Sequence, residues 1–131
     1  MVGTSRVKLI LVADDSPASR ELIRETLETD DRRVVEARDG RQALEMIRES
    51  LPDLVLMDIQ MPYFDGYSVL EKLRSDSRFE ALRVIAVTAY AMHGDREKAL
   101  SAGFDGYITK PIQIGDLRAQ VDRFLEIEPG K

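Results

Sequence analysis

The chain contains no cysteine and only one histidine, His93. Without thiols there are no disulfides, no thiolate nucleophile and no cysteine zinc site, and a single imidazole excludes a multi-histidine metal centre. Long hydrophobic runs are missing as well. The longest early one, Leu9 to Ala13, spans five residues and ends in two acids, which suits neither a signal-peptide core nor a membrane span. No Lys/Arg cluster offsets the net charge of −5, so a direct nucleic-acid ligand is excluded, because phosphate backbones need a basic patch. Linkers, repeats and low-complexity stretches are absent too. The 131 residues are expected to form one cytoplasmic domain, with a core over about 7–125 and loose termini at 1–6 and 128–131.

What the chain does contain is a regular alternation. Five short apolar runs, about 7–13, 33–37, 54–57, 84–88 and 106–109, are separated by helix-length amphipathic segments. Four of the runs are nearly continuous in Val, Ile, Leu and Ala, as parallel strands covered on both faces are. The second, Val34-Val35-Glu36-Ala37, is more polar and suits an edge. Ser16 with Pro17 behind it, Asp39 with Gln42 three residues on, and Asp65 are the helix starts. Apolar residues then recur at helical spacing, as in Leu22/Leu27, Leu44/Ile47, Leu70/Leu73 and Leu117/Val121/Phe124. Gly103 stands where a fourth helix needs a left-handed terminator. The βα alternation implies right-handed crossovers and an α/β fold with a doubly wound parallel sheet.

Chemistry-bearing residues follow the apolar runs directly. Asp14 and Asp15 follow the first, Asp58 follows the third, Thr88 ends the fourth, and Lys110 comes just after the fifth. In an open parallel sheet these strand ends line one crevice, where ligands bind. The first turn, Ala13-Asp14-Asp15-Ser16-Pro17, has none of the glycines that a dinucleotide-binding turn requires. Adjacent carboxylates repel a phosphate unless a positive partner intervenes, and a hard oxygen-seeking cation such as Mg²⁺ is the natural one. Asp58 can then act as a nucleophile toward phosphorus, with Thr88 and Lys110 neutralising the incoming charge. Taken singly, one acid could cap a helix, Thr88 could finish a strand and Lys110 could lie in solvent. Their joint placement at strand ends favours the phosphoryl site.

Asp14-Asp15, the Asp58 loop with Met61-Pro62 and Asp65-Gly66, Val87-Thr88-Ala89, and Lys110-Pro111-Ile112 closely resemble the receiver (response-regulator) domains of two-component phosphorelay systems. The resemblance spans about residues 7–125. It is strongest to single-domain regulators and hybrid-kinase receivers, through Thr88-Ala89-Tyr90-Ala91-Met92 and the stretch from Gly106 to Ile112. It implies a (βα)5 flavodoxin-like sheet of strand order 2-1-3-4-5 and a phosphoacceptor at Asp58. Asp15, Asp58 and the backbone carbonyl of Gln60 would bind Mg²⁺, with Asp14 contributing through water. Thr88 and Lys110 would contact the phosphoryl group, and Thr88 with Tyr107 would form the switch. A cis peptide before Pro111 is expected as well, so that Lys110 points back into the crevice. The implied partners are a histidine kinase or histidine phosphotransfer protein, and a downstream protein at the face of the fourth helix, fifth strand and fifth helix. No output domain is seen, and no activity beyond autocatalytic phosphorylation and dephosphorylation is expected.

Other residues have plainer readings. His93 is expected at the surface, Tyr63 and Phe64 in the loop over the site, and Met57 and Met61 in packing. The mixed charges Arg20, Glu21, Arg24, Glu25 and Glu28 read as a solvated helix face that could also dock a kinase. Two rivals remain: a degenerate receiver that only binds partners, and an aspartate-nucleophile phosphatase of the haloacid-dehalogenase type. The latter places its first-strand acids two apart and usually carries a cap domain. Here the acids are adjacent and no cap-sized insertion is present.

Overall fold

The computed structural model describes residues 7–89 and 91–126; the expected loose termini at 1–6 and 128–131, and Tyr90, lie outside these residues. Ten elements alternate: β1 (Lys8–Ala13), α1 (Pro17–Leu27), β2 (Arg32–Ala37), α2 (Gly40–Ser50), β3 (Leu54–Asp58), α3 (Gly66–Arg74), β4 (Arg83–Thr88), α4 (Asp95–Ala102), β5 (Gly106–Thr109) and α5 (Ile114–Glu126). All strands are parallel in the order β2-β1-β3-β4-β5, and the more polar β2 lies at an edge as its composition implies. The order reverses between β1 and β3. That reversal opens a crevice at the carboxyl ends of those two strands.

Strand side chains alternate between two cores because successive residues point to opposite faces. Ile10, Val12, Leu54, Leu56, Ile85, Val87 and Ile108 pack with α1 and α5 through Ile23, Leu27, Leu117 and Val121. Leu11, Ala13, Val55, Met57, Val84 and Ala86 pack with α2, α3 and α4 through Ile47, Leu70, Leu73 and Ala99. Every residue of β3 is buried, including the carboxylate that ends it. Each large aliphatic side chain so enclosed contributes about 1.5–3 kcal/mol of hydrophobic free energy.

The helix starts are built as the sequence implies. Ser16 Oγ accepts from Ser19 N at 3.3 Å, with Pro17 opening α1, and Asp65 Oδ1 accepts from Ser68 N at 2.8 Å. Asp39 Oδ1 accepts from Gln42 N at 2.8 Å, but Gln42 Oε1 accepts in return from Arg38 N, one residue before the cap. Gly103 ends α4 at φ 116°, in the left-handed region that glycine enters without a steric penalty. On α1 one expectation fails. Leu22 is exposed, and Ile23 is the residue that stands four before Leu27 on the buried face. The α2 terminus carries no glycine: Leu51 itself adopts φ 51°.

Candidate functional site

Strand register brings the charged residues level. Ala13 pairs with Met57, so Asp14 comes beside Asp58; Asp58 pairs with Val87, one residue before Thr88; Thr88 pairs with Thr109, one residue before Lys110. The loops continue the ladder. Asp14 N donates to Ala37 O, Ile59 N to Val87 O, and Lys110 N to Thr88 O at 2.8 Å. The Lys110–Pro111 peptide is cis.

Asp14, Asp58 and Thr88 are buried, and they are the polar or charged side chains that the core encloses among the described residues. Lys110 reaches into the crevice with its Nζ 2.9 Å from Asp14 Oδ2 and 3.1 Å from Asp58 Oδ2. The remaining carboxylate oxygens are held by the turns that follow them: Asp14 Oδ1 accepts from Ser16 N and Asp58 Oδ1 from Gln60 N, both at 2.9 Å. Asp15 is exposed at the mouth. Each of Asp14, Asp15 and Asp58 offers an oxygen within 4.8 Å of the others.

The electrostatics of this cluster are uneven. Burial pushes the Asp58 carboxyl up to about 6; the Gln60 N–H opposes that rise, the Asp14 charge adds to it, and Lys110 only partly offsets it. For Lys110, burial alone would lower the ammonium, but its bonds and charge contacts with Asp14 and Asp58 raise it above its ordinary value. One lysine thus pairs with two of the three clustered carboxylates, and Asp15 is exposed beside them. A donor set made only of oxygen anions, short of positive charge and open at Asp15, fits a hard divalent cation.

The loop from Ile59 to Asp65, which follows Asp58, is held by backbone contacts. Gly66 N donates to Ile59 O at 2.7 Å, and Gly40 N to Pro62 O at 3.4 Å. Gly40 opens α2 directly under this loop, where any Cβ would overlap the Phe64 carbonyl. Tyr63 is exposed, takes φ 71°, and stacks beneath the Arg41 guanidinium at 4.5 Å. Phe64 packs onto the α2–α3 core, Met57 and Met61 pack as expected, and His93 is exposed.

Beside Thr88 lies a cavity of about 150 Å³ lined by Ile59, Gln60, Tyr67, Thr88, Asp95, Lys98 and Tyr107. The Tyr107 hydroxyl is buried there and has no hydrogen-bond partner among the described residues. Burial, then the charge of Asp95, raises its phenol above the ordinary value. Such an orphaned hydroxyl is costly, by about 1–3 kcal/mol, wherever water cannot reach it.

Arg20 and Arg24 depart from the solvated-face reading of α1. Both are drawn onto Glu36 of β2, and Arg20 also donates to the Asp14 carbonyl. The only sequence sign of this was an acid between Val35 and Ala37 in the more polar second strand.

None of the described helices is long and apolar enough to cross a membrane. The family model of the response regulator receiver domain matches residues 10–122. The polar-differentiation response regulator DivK of Brucella anthropi is 38% identical over 107 residues, covering 82% of this chain and 87% of its own length. The Francisella response regulator 1452 receiver domain superposes with a TM-score of 0.84 at 31% identity, over 91% of this chain and 97% of that one. The signal receiver domain of a signal transduction histidine kinase from Syntrophus aciditrophicus gives 0.82 at 31% identity, over 91% and 90%. With its fold, its acidic crevice and its sequence all pointing the same way, the chain belongs to the response regulator receiver domains of two-component signalling.

Proposed function

We propose that this receiver is a phosphorylation-dependent switch in which Asp58 accepts a phosphoryl group from a phosphohistidine on a kinase or phosphotransfer partner. The observation that carries this reading is a buried nucleophilic carboxylate, Asp58, sharing Lys110 with Asp14 at the topological switch point. An Asp58 oxygen attacks phosphorus as the P–N bond of the phosphohistidine breaks. The released electron pair returns to the imidazole nitrogen, which takes up a proton.

Asp15, Asp58 and the Gln60 carbonyl would hold Mg²⁺, with Asp14 acting through water. A bound Mg²⁺ supplies charge neutralisation for the phosphoryl oxygens. Lys110 supplies a second cation already oriented at Asp58, and Thr88 a hydroxyl at the end of the adjacent strand. Drawn to a phosphoryl oxygen by a charge-assisted hydrogen bond, Thr88 changes one wall of the Tyr107 cavity. Because the Tyr107 hydroxyl is already enclosed, phosphorylation then acts by fixing the ring in that arrangement. This alters the face of α4, β5 and α5 offered to a downstream protein.

Acetyl phosphate with Mg²⁺ should add one phosphoryl group to the intact protein, and Asp58→Asn should lose it by mass spectrometry. A label on another side chain would refute the assignment. Thr88→Ala should accept the group yet leave amide shifts in α4 and α5 close to those of the unmodified protein; a full wild-type shift pattern would remove Thr88 from the route. The alternative of a receiver that only binds partners requires that neither Mg²⁺ nor acetyl phosphate change the spectrum. Steady release of phosphate from a free phosphomonoester would instead favour the phosphatase.

A further inference from the structure

Arg20 sits where a helix-surface charge would normally face water, yet its side chain is only 16% exposed. Its Nη1 donates to the Asp14 carbonyl at 2.7 Å, and its Nε to Glu36 Oε1 at 3.0 Å. Arg24 holds the other Glu36 oxygen at 2.8 Å. Glu36 lies on β2 opposite Val12 of β1. The guanidinium is therefore clamped between the edge strand and the turn that carries the acids.

We propose that Arg20 is a positioning residue for the cation site: it fixes the Asp14–Asp15 peptide so that the exposed Asp15 carboxylate meets those of Asp14 and Asp58. The inference rests on the metal-site reading above. Each other polar atom of Asp14 already has a fixed contact, its N–H on Ala37 O, Oδ1 on Ser16 N and Oδ2 against Lys110. The carbonyl is the remaining one, and it belongs to the peptide plane that leads into Asp15. Asp15 has no enclosure of its own, so the direction of its side chain depends on that plane. Rotating the plane would separate oxygens that now lie within 4.8 Å of one another. Glu36 fixes the guanidinium in turn, and Arg24 fixes Glu36.

Charge and geometry predict opposite signs. A cation near a divalent ion repels it, so deleting a bystander arginine would tighten Mg²⁺ binding. Deleting a residue that orients the ligands weakens it, typically by about 10–100-fold for outer partners of metal ligands. The test is Mg²⁺ titration of the full chain by calorimetry and ¹H–¹⁵N spectra. Arg20→Ala and Arg20→Met should bind Mg²⁺ about 10-fold more weakly. Both should also move the Asp14 carbonyl ¹³C and Asp15 amide ¹⁵N shifts before metal is added. Arg20→Met keeps the aliphatic stem and carries the test if the alanine variant does not fold. Arg20→Lys, which can still reach one carbonyl, should recover part of the affinity. Arg78→Ala, whose guanidinium pairs with Asp76, should change neither reading. Binding as tight as, or tighter than, that of the unsubstituted protein in Arg20→Met overturns the positioning role alone. If the unsubstituted protein binds no Mg²⁺, the metal-site reading falls and this inference falls with it.

Discussion

The two ends of the sheet treat their charges in opposite ways. At the amino ends of β4 and β5, Asp105 accepts from Val84 N at 2.8 Å and from Arg74 at 3.1 Å, with Arg83 at 3.4 Å. Arg74 spends the rest of its guanidinium on the carbonyls of Phe79, Glu80, Leu82 and Gly103. The Asp105 carboxylate is thus answered within the protein, although the buried Arg83 Nε has no hydrogen-bond partner among the described residues. At the carboxyl ends, Asp14 and Asp58 divide one lysine, Asp15 faces solvent, and burial holds the Asp58 carboxyl up near 6. Acids occur at both ends. What separates a structural acid from a functional one is whether its partners are complete before any ligand arrives.

Removing Arg74 attacks the completed end and should have the largest effect. Arg74→Ala deletes bonds to four carbonyls and Asp105, which tie together the α3–β4 and α4–β5 connections. A loss of about 2–4 kcal/mol is expected in urea denaturation. Mg²⁺ affinity, which belongs to the opposite end, should be unchanged. A loss under about 0.5 kcal/mol would show that this clamp is an ordinary surface ion pair and that the contrast between the ends is false.

Gly40→Ala strikes the other end through packing, without touching a charge. The added methyl meets the Phe64 backbone, which has no free side-chain end to give way. Overpacking of this kind costs about 1–3 kcal/mol. Because the displaced loop also carries Gln60 and follows directly on Asp58, the amide shifts of residues 59–65 should move together. A variant as stable as the parent, with those shifts unmoved, would mean that the loop adjusts freely and is not seated on α2.

The incomplete end also predicts a pH dependence of unusual sign. Asp58 has an ordinary carboxyl of 3.8 in the unfolded chain and about 6 in the fold. Between those values the folded protein keeps a proton that the unfolded chain has released. Metal-free stability should therefore fall as pH rises from about 4 to about 6, the reverse of a salt-bridged acid. Asp58→Asn should flatten that slope and raise stability at pH 7 by on the order of 1–2 kcal/mol. Mg²⁺ should do the same for the unsubstituted protein by binding only the folded state. A metal-free melting temperature that rises from pH 4 to 6 by an Asp58-dependent amount would contradict the site's electrostatics.

The contrast also explains what could be read from the sequence. Strand positions and the line of Asp14, Asp58, Thr88 and Lys110 follow from local apolar runs, so they were legible; the sheet order followed only from the resemblance to receiver domains. The caps at Ser16, Asp39 and Asp65 are local as well. Tertiary contacts were not legible: the inward turn of Arg20, the seating of the Phe64 carbonyl on Gly40, and the assembly of Arg74 with Asp105, 31 residues away. Each depends on where a distant backbone passes. The choice of Leu22 for the α1 core failed for a related reason, since Leu22 and Ile23 are adjacent apolar residues and only the docking angle of α1 decides which one is buried.

The smallest effects come from the backbone, where, among the described residues, each end holds one non-glycine residue in the left-handed region. Leu51 has φ 51° at the amino end, closing α2, and Tyr63 has φ 71° at the carboxyl end, in the loop that follows Asp58. Both side chains are exposed. Such a conformation costs roughly 1 kcal/mol in a residue with a Cβ. Glycine relieves it but loses about 0.5–1 kcal/mol through the greater freedom of the unfolded chain. For Leu51→Gly a gain of about 0.5 kcal/mol or less is expected, because little packing is lost. Tyr63→Gly also gives up the Arg41–ring contact, worth about 0.5–1 kcal/mol at an exposed position. Its net change should therefore lie near zero or be slightly unfavourable. Denaturant midpoints measured side by side would decide the order. A Tyr63→Gly variant clearly more stable than Leu51→Gly would show that the site loop stores strain absent from the structural end, placing the difference between the two ends in the backbone as well as in the charges.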